Sequence, residues 1–328
     1  MKHSEAWLLP SIILTVLAAA AALLLVPDMM GLMPALFVLP AWMAFAALMA
    51  GLYAFARAAL TGDPAPSASL RRFLKQEHRH ILLTSGIMLL AGANMVSFMW
   101  VKTLLNYKVA FWADPYLAKA DNALFLGREP WELFHALDIK GAGLIYHPLW
   151  FVLLIFALLM ATTAKPGRER SAVLLSYFVL WTVIGPLVHI LLPAAGPIFY
   201  ERMGYGARYA AVSSSDEVKQ VGDYLWDIYA TKRFGAASGI SAMPSMHVAM
   251  STWTVIAFRQ FAPRFAWVAI PGWVVITALS IALGWHYACD GIAGSLLAFA
   301  TYAAIRFALK ARAAAEQVSA PALAPQLT

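Results

Sequence analysis

The chain has 328 residues, 62% of them hydrophobic and only 12% charged, with a mean hydropathy of +0.69. Soluble domains carry about a quarter charged residues, so this composition excludes an ordinary soluble protein and points to one that sits in lipid. The net charge of +7 reads as Lys and Arg flanking the cytoplasmic ends of membrane helices and meeting anionic headgroups. No nucleic-acid-binding motif is present, and a single cysteine, Cys289, excludes an intrachain disulfide.

The first apolar run, Trp7 to Val26, is long enough for a bilayer core of about 30 Å, which takes roughly 20 residues. Its small residues, Ala18 to Ala22, fall inside the run, so it reads as a retained helix rather than a cleaved signal. Seven further spans are predicted over residues 32–56, 81–105, 148–164, 171–193, 245–261, 265–284 and 287–309. Backbone groups in lipid must be paired within their own segment, which makes such runs helices, and they lack the alternation of a barrel. The predicted fold class is an all-α integral membrane protein of about eight transmembrane helices.

Two N-terminal helices (1–60) precede a cytoplasmic linker (61–80) that opens on the Pro/Ser-rich TGDPAPSAS. The segment 115–137 mixes acids with Trp131, Phe134 and Leu137, the pattern of an amphipathic helix at the interface. Gly185 and Pro186 inside the fifth span predict a kink. The stretch 310–328 reads as a disordered tail.

Orientation follows from the short connections. Arg57, Arg71, Arg72, Lys75 and Arg79, then Lys165, Arg168 and Arg170, then Arg259 and Arg264, and finally Arg306, Lys310 and Arg312 fall on one side together with Lys2 if the count is eight. That side is expected to be cytoplasmic. The long loops 106–147 and 194–244 then face outward, with the two stretches that carry chemistry.

Those stretches are GISAMPSMHVAMS near residue 240 and ALGWHYACDGIAG about forty residues on. His286 and Asp290 are four residues apart and share a helix face. A carboxylate so placed can accept the imidazole N–H, fix its tautomer and stabilise the imidazolium. Gly284 and Gly291 flank them and would permit a helix break and a close helix approach. Before His247, Pro244 and Ser245 form a helix-start signal, and a helix N-terminus offers free N–H groups and partial positive charge to an anion. The two histidines together suggest a phosphate site. Ionisable groups inside spans are costly and mark function.

The same groups admit two other chemistries. His247, His286 and Asp290 could form the relay of a proton-coupled transporter, though transporters place such groups near the midplane and carry repeats, and no repeat is visible. They could also be three ligands of a catalytic zinc. Cys289 reads as packing, His147 and His189 as ionisable groups near the outer side, and Tyr200, Tyr205 and Tyr209 as residues at headgroup level.

PSMH at 244–247 resembles the second signature block of the type 2 phosphatidic acid phosphatase superfamily, and GWHYACDG at 284–291 resembles the end of its third. The resemblance covers roughly residues 81–309 and implies a six-helix catalytic core. PAAGPIFY, GISAMPSMH and LGWHY look most like the branch of inositol-phosphorylceramide synthases and related bacterial proteins. It implies a lipid phosphatase or headgroup phosphotransferase acting at the outer leaflet, without metal or other cofactor. His286 would be the nucleophile, Asp290 its stabiliser and His247 the acid and base. The implied setting is a bacterial inner membrane with the site facing the periplasm or exterior. The implied partners are a lipid phosphate substrate and bilayer lipids, with homo-oligomers allowed. The sequence departs from the family pattern at Ser280, where an arginine is usual, at Met246, where glycine is usual, and in lacking the first block, whose place PAAGPIFYERMG takes. Phosphate is therefore expected to rest on Ser245 and on cations of the outer loop: Arg202, Arg208, Lys232 and Arg233.

Overall fold

A computed structural model describes residues 5–25, 33–212 and 215–319. Among them there are helices, turns and loops but no strand. The chain runs through α1 (Leu8–Leu25), α2 (Val38–Leu60), α3 (Pro66–Gln76) and α4 (His78–Lys108). It continues with α5 (Asp114–Leu124), α6 (Pro130–Phe134), α7 (Ala142–Thr163) and α8, a span from Arg168 to Leu191. It closes with α9 (Asp216–Ala230), α10 (Met246–Phe261), α11 (Ala266–Ala282) and α12 (Ala288–Ser319). Seven of these, α1, α2, α4, α7, α8, α11 and α12, include stretches long and apolar enough to cross a membrane. The protein is an all-α integral membrane protein.

The sixth expected span, 245–261, is the departure. Its helix α10 has 16 residues, which at 1.5 Å per residue is about 24 Å, short of the hydrocarbon thickness. It need not meet lipid on all sides, because α7, α11 and α12 pack around it. Its Trp253 is fully buried and donates its indole N–H to the Val173 carbonyl of α8 at 2.9 Å. Other buried donors pair in the same way. Trp42 reaches Met88 O at 2.9 Å and Tyr177 reaches Ala91 O at 3.1 Å. Each fixes a helix contact while satisfying a polar group that would be costly to strand in an apolar core. By contrast α1 and α2, which pack on α4, leave Leu9, Leu17, Leu24, Leu48 and Phe55 exposed, as a lipid-facing surface requires.

Three further expectations change. The linker 61–80 is mostly helical, because Pro66 starts α3 and α4 begins at His78. Proline is well suited to a first helical turn. Leu70, Phe73 and Leu74 lie on one face of α3, and Arg71 and Lys75 lie on the other. The tail is helical as far as Ser319, since its Ala-rich sequence favours helix. Residues 320–328, like Lys2 of the charge pattern, lie outside the described residues. The amphipathic segment is broken in two at Leu126 and Gly127, both with positive φ. The expected kink in α8 takes the form of a π turn, Leu180–Ile184, directly before Gly185 and Pro186, where proline has no N–H to give to the ladder.

Candidate active site

The site lies where four segments meet: the start of α7, the loop leading into α10, the Gly284–Tyr287 turn before α12, and the outer end of α4. The start of α10 is built as expected. Ser245 is fully buried, its Oγ accepts the Val248 N–H at 3.4 Å and its carbonyl accepts the Ala249 N–H at 2.9 Å. Its hydroxyl is thus a helix cap. Helix α12 crosses this point closely, but the glycine responsible is Gly294. A Cβ on Gly294 would stand 2.6 Å from the Ser245 carbonyl oxygen, whereas one on Gly291 would meet nothing nearer than 3.6 Å. The close approach expected of Gly291 belongs one turn further along.

His286 is positioned by its backbone and by its ring. Its N–H donates to Ser280 O at 3.1 Å, so the serine that stands where an arginine is usual holds the turn through its carbonyl. The ring Nδ1 lies 2.8 Å from the Ala242 carbonyl. A carbonyl only accepts, so Nδ1 carries a proton, and in the neutral ring the lone pair is on Nε2. Asp290 is fully buried and stands 3.6 Å from the same Nδ1, too far for a hydrogen bond. Its Oδ2 accepts the Tyr287 N–H at 2.9 Å. The expected His–Asp hydrogen bond is therefore replaced by a backbone carbonyl, with the carboxylate acting on the ring by charge.

His247 meets this ring from the other helix, with the two centroids 6.3 Å apart. Around His247 stand Trp150 at 4.6 Å, Tyr146 at 5.1 Å and His147 at 5.2 Å. Trp285 is 6.3 Å from His147. His147 is exposed. The buried Tyr146 hydroxyl and the Trp150 indole N–H have no protein partner among the described residues.

PAAGPIFY, which takes the place of the family's first block, is a bracket. The Ala194 carbonyl accepts the Ala242 N–H at 2.8 Å, and the Ile198 N–H donates to Gly284 O at 2.9 Å. The segment thus ties the loop before His247 to the turn before His286. Gly196, at φ +100, packs so closely on Trp285 that a Cβ would lie 2.6 Å from its carbonyl oxygen.

Two carboxylates of α5 complete the frame. Asp114 accepts the N–H groups of Ala195 and Gly196 at 2.9 and 2.8 Å and the Tyr287 hydroxyl at 3.0 Å. Asp121 accepts those of Ala288 and Cys289 at 2.7 and 2.8 Å and so caps α12 from another helix. Burial pushes both carboxyl pKa values up, against the pull of those N–H donors. Burial, then the Asp114 carboxylate, raises the Tyr287 phenol, which stays the donor in that pair.

The other candidates divide. Arg202 pairs with Asp223, Arg208 with Glu129 and Arg233 with Asp227, while Lys232 is exposed; none of these contacts brings them to the histidines. His189 is buried, with Nδ1 3.0 Å from Ser241 Oγ. Cys289 packs with its Sγ 3.9 Å from Leu117 O. Tyr200 and Tyr209 are buried, packed against Tyr205 and Tyr287. Among the described residues no group of three or more His, Cys, Asp or Glu side chains could hold a metal ion.

Sequence reasoning missed Tyr146, Asp114 and Asp121. The two aspartates carried one signal, acids on the buried face of an otherwise interfacial helix. A family model described as PAP2 superfamily matches residues 116–304. No curated protein and no solved structure matches the chain.

Proposed function

The chain belongs to the PAP2 superfamily, whose members are generally phosphatases and phosphotransferases, and from that premise we propose that it transfers the phosphoryl group of a membrane lipid through a phosphohistidine on His286. The observation that carries the reading is the pairing of two imidazoles 6.3 Å apart, one of which has its Nδ1–H committed to Ala242. In its neutral form such a ring offers Nε2 as the nucleophile.

In the first step Nε2 of His286 bonds to phosphorus as the P–O bond to the leaving group breaks, and His247 gives its proton to the departing oxygen. Positive charge on the His286 ring is balanced by Asp290 at 3.6 Å. In the second step His247 takes a proton from the acceptor, the acceptor oxygen bonds to phosphorus and the N–P bond breaks. Water as acceptor makes the protein a phosphatase; an alcohol headgroup makes it a transferase of the inositol-phosphorylceramide synthase type. The N–H groups at the start of α10 would hold phosphate oxygens. The basic connections, read as cytoplasmic, support a site on the opposite face, and we place that face at the periplasm or exterior of a bacterial inner membrane.

The test uses purified protein in detergent with phosphatidic acid, polyprenyl diphosphate and ceramide plus phospholipid donors. Wild type turns over at least one donor and traps labelled, acid-labile phosphate, and His286→Ala does neither. Equal turnover by the two proteins, or turnover by neither, overturns the reading.

A further inference from the structure

A phosphate between His247 and His286 calls for a positive charge, and Arg202, Arg208 and Arg233 are each paired with a carboxylate. We propose that Lys102 of α4 supplies it, binding a non-bridging phosphate oxygen beside the two histidines. The inference rests on the phosphoryl chemistry proposed above and adds the cation which that chemistry lacks.

Lys102 interrupts an apolar run, VSFMWVKTLL, inside a membrane span. A lysine there is costly unless it snorkels to the interface or meets a partner. Lys102 has no such partner among the described residues. It is partly buried and makes no hydrogen bond or ion pair. Its stem turns inward, with Cε 2.8 Å from where a Cβ on Gly239 would stand. Gly239, at φ +94, begins the stretch that leads through Ala242 to His247. The neighbours of Lys102 fix it against that stretch. Thr103 Oγ1 lies 2.9 Å from Ser238 Oγ, and the Asn106 amide bonds the Ile240 N–H and carbonyl, each at 2.6 Å.

One turn on from Lys102, the Asn106 amide nitrogen stands 3.4 Å from Nε2 of His189, so this end of α4 faces an imidazole as well as the stretch that leads to His247. The Asp290 carboxylate already serves His286 and Tyr287. Lys102 thus lies against the stretch before His247 with no anion of its own among the described residues. Across the site the buried Tyr146 hydroxyl, on a ring 5.1 Å from that of His247, is likewise without a protein partner among the described residues. A dianionic or monoanionic phosphate oxygen is the chemistry that completes this set.

Orthovanadate tests the proposal without needing turnover. Its affinity is measured by calorimetry on full-length protein in detergent, for wild type, Lys102→Met, Lys102→Arg and the exposed control Lys119→Met. Loss of one charge-assisted contact is expected to weaken binding about tenfold to a hundredfold in Lys102→Met. Lys102→Arg should stay within about threefold of wild type and Lys119→Met should match it. If Lys102→Met does not fold, Lys102→Gln takes its place under the same criterion. Equal binding by folded wild type and the neutral variant overturns the role of Lys102, as does absence of vanadate binding by wild type. The His286→Ala turnover assay judges the histidine chemistry separately. A vanadate site that depends on Lys102, in a protein inactive on every donor, would sustain this inference and sink the enzyme reading.

Discussion

His286 gives its Nδ1 proton to the Ala242 carbonyl at 2.8 Å, while Asp290 stands 3.6 Å from the same nitrogen. The carbonyl belongs to the loop that leads into His247, so the ring orientation of one histidine is set by the chain that positions the other. Orientation and charge balance, which one carboxylate supplies in a Ser-His-Asp triad, are here divided between two groups.

This division predicts an unequal cost for Asp290. Where a carboxylate alone fixes the tautomer, its amide replacement costs about 10⁴ in kcat. In this protein Asp290→Asn leaves the Ala242 bond in place and removes only the charge. A contact with a charged group is worth roughly 1.5–3 kcal/mol, so kcat should fall by about 10–150-fold. Steady-state rates for Asp290→Asn and His286→Ala check this. If the two are equally inactive, the carboxylate and not the carbonyl sets the ring.

His247 has a different signature. As the group that protonates the leaving oxygen, it matters most when that oxygen leaves as a poor, strongly basic alkoxide. His247→Ala should lose about 10²–10⁴ in kcat/KM on a lipid phosphate and far less on an aryl phosphate with an acidic phenol. A loss of equal size on both substrates would assign His247 to binding rather than proton transfer.

The membrane helices were legible because their apolar runs leave no other way to satisfy the backbone. The histidine pair was legible because His247 follows a capping serine and His286 precedes an aspartate at helical spacing. The partners that hold them were not. Asp121 meets Cys289 across 168 residues of sequence, and Asp114 meets Tyr287 across 173. No local pattern encodes such contacts. A backbone carbonyl such as Ala242 O has no residue type to announce it. Lys102, proposed above as a phosphate ligand, also carried a signal, a charge inside an apolar span, but composition does not say which way a lysine turns. The boundaries moved where propensity outweighed polarity, as in the helices that replace the expected linker and the first part of the tail.

The helix crossing makes a paired prediction about two glycines one turn apart. In Gly294→Ala the new Cβ would lie 2.6 Å from the Ser245 carbonyl, against backbone that cannot swing aside. Such overpacking costs about 1–3 kcal/mol, and here it pushes the start of α10, and His247 with it, away from α12. In Gly291→Ala the nearest atoms are 3.6 Å away, an ordinary contact, and alanine favours helix by about 1 kcal/mol over glycine. Thermal unfolding in detergent should show Gly294→Ala destabilised and nearly inactive, and Gly291→Ala as stable as wild type or more so. The reverse order would mean that the helices cross elsewhere.

Asp114 and Asp121 add a pH dependence whose sign follows from burial. Both carboxyls have pKa values above the ordinary 3.8, so the fold favours their protonated forms. Their contribution to stability is fully present below the unfolded value and is lost as pH rises through the raised folded values. Asp121→Asn removes the ionisation but leaves one amide oxygen where two carboxylate oxygens accepted the Ala288 and Cys289 N–H groups. Stranding one buried donor costs about 1–3 kcal/mol. The variant should therefore unfold at a lower temperature than wild type near pH 4, and the gap should narrow as pH rises, because only wild type has a carboxylate there to ionise. Unfolding midpoints for the two proteins across about pH 4–7 measure this. A gap that widens with pH would mean that the N–H donors outweigh burial and that Asp121 works as a stabilised carboxylate.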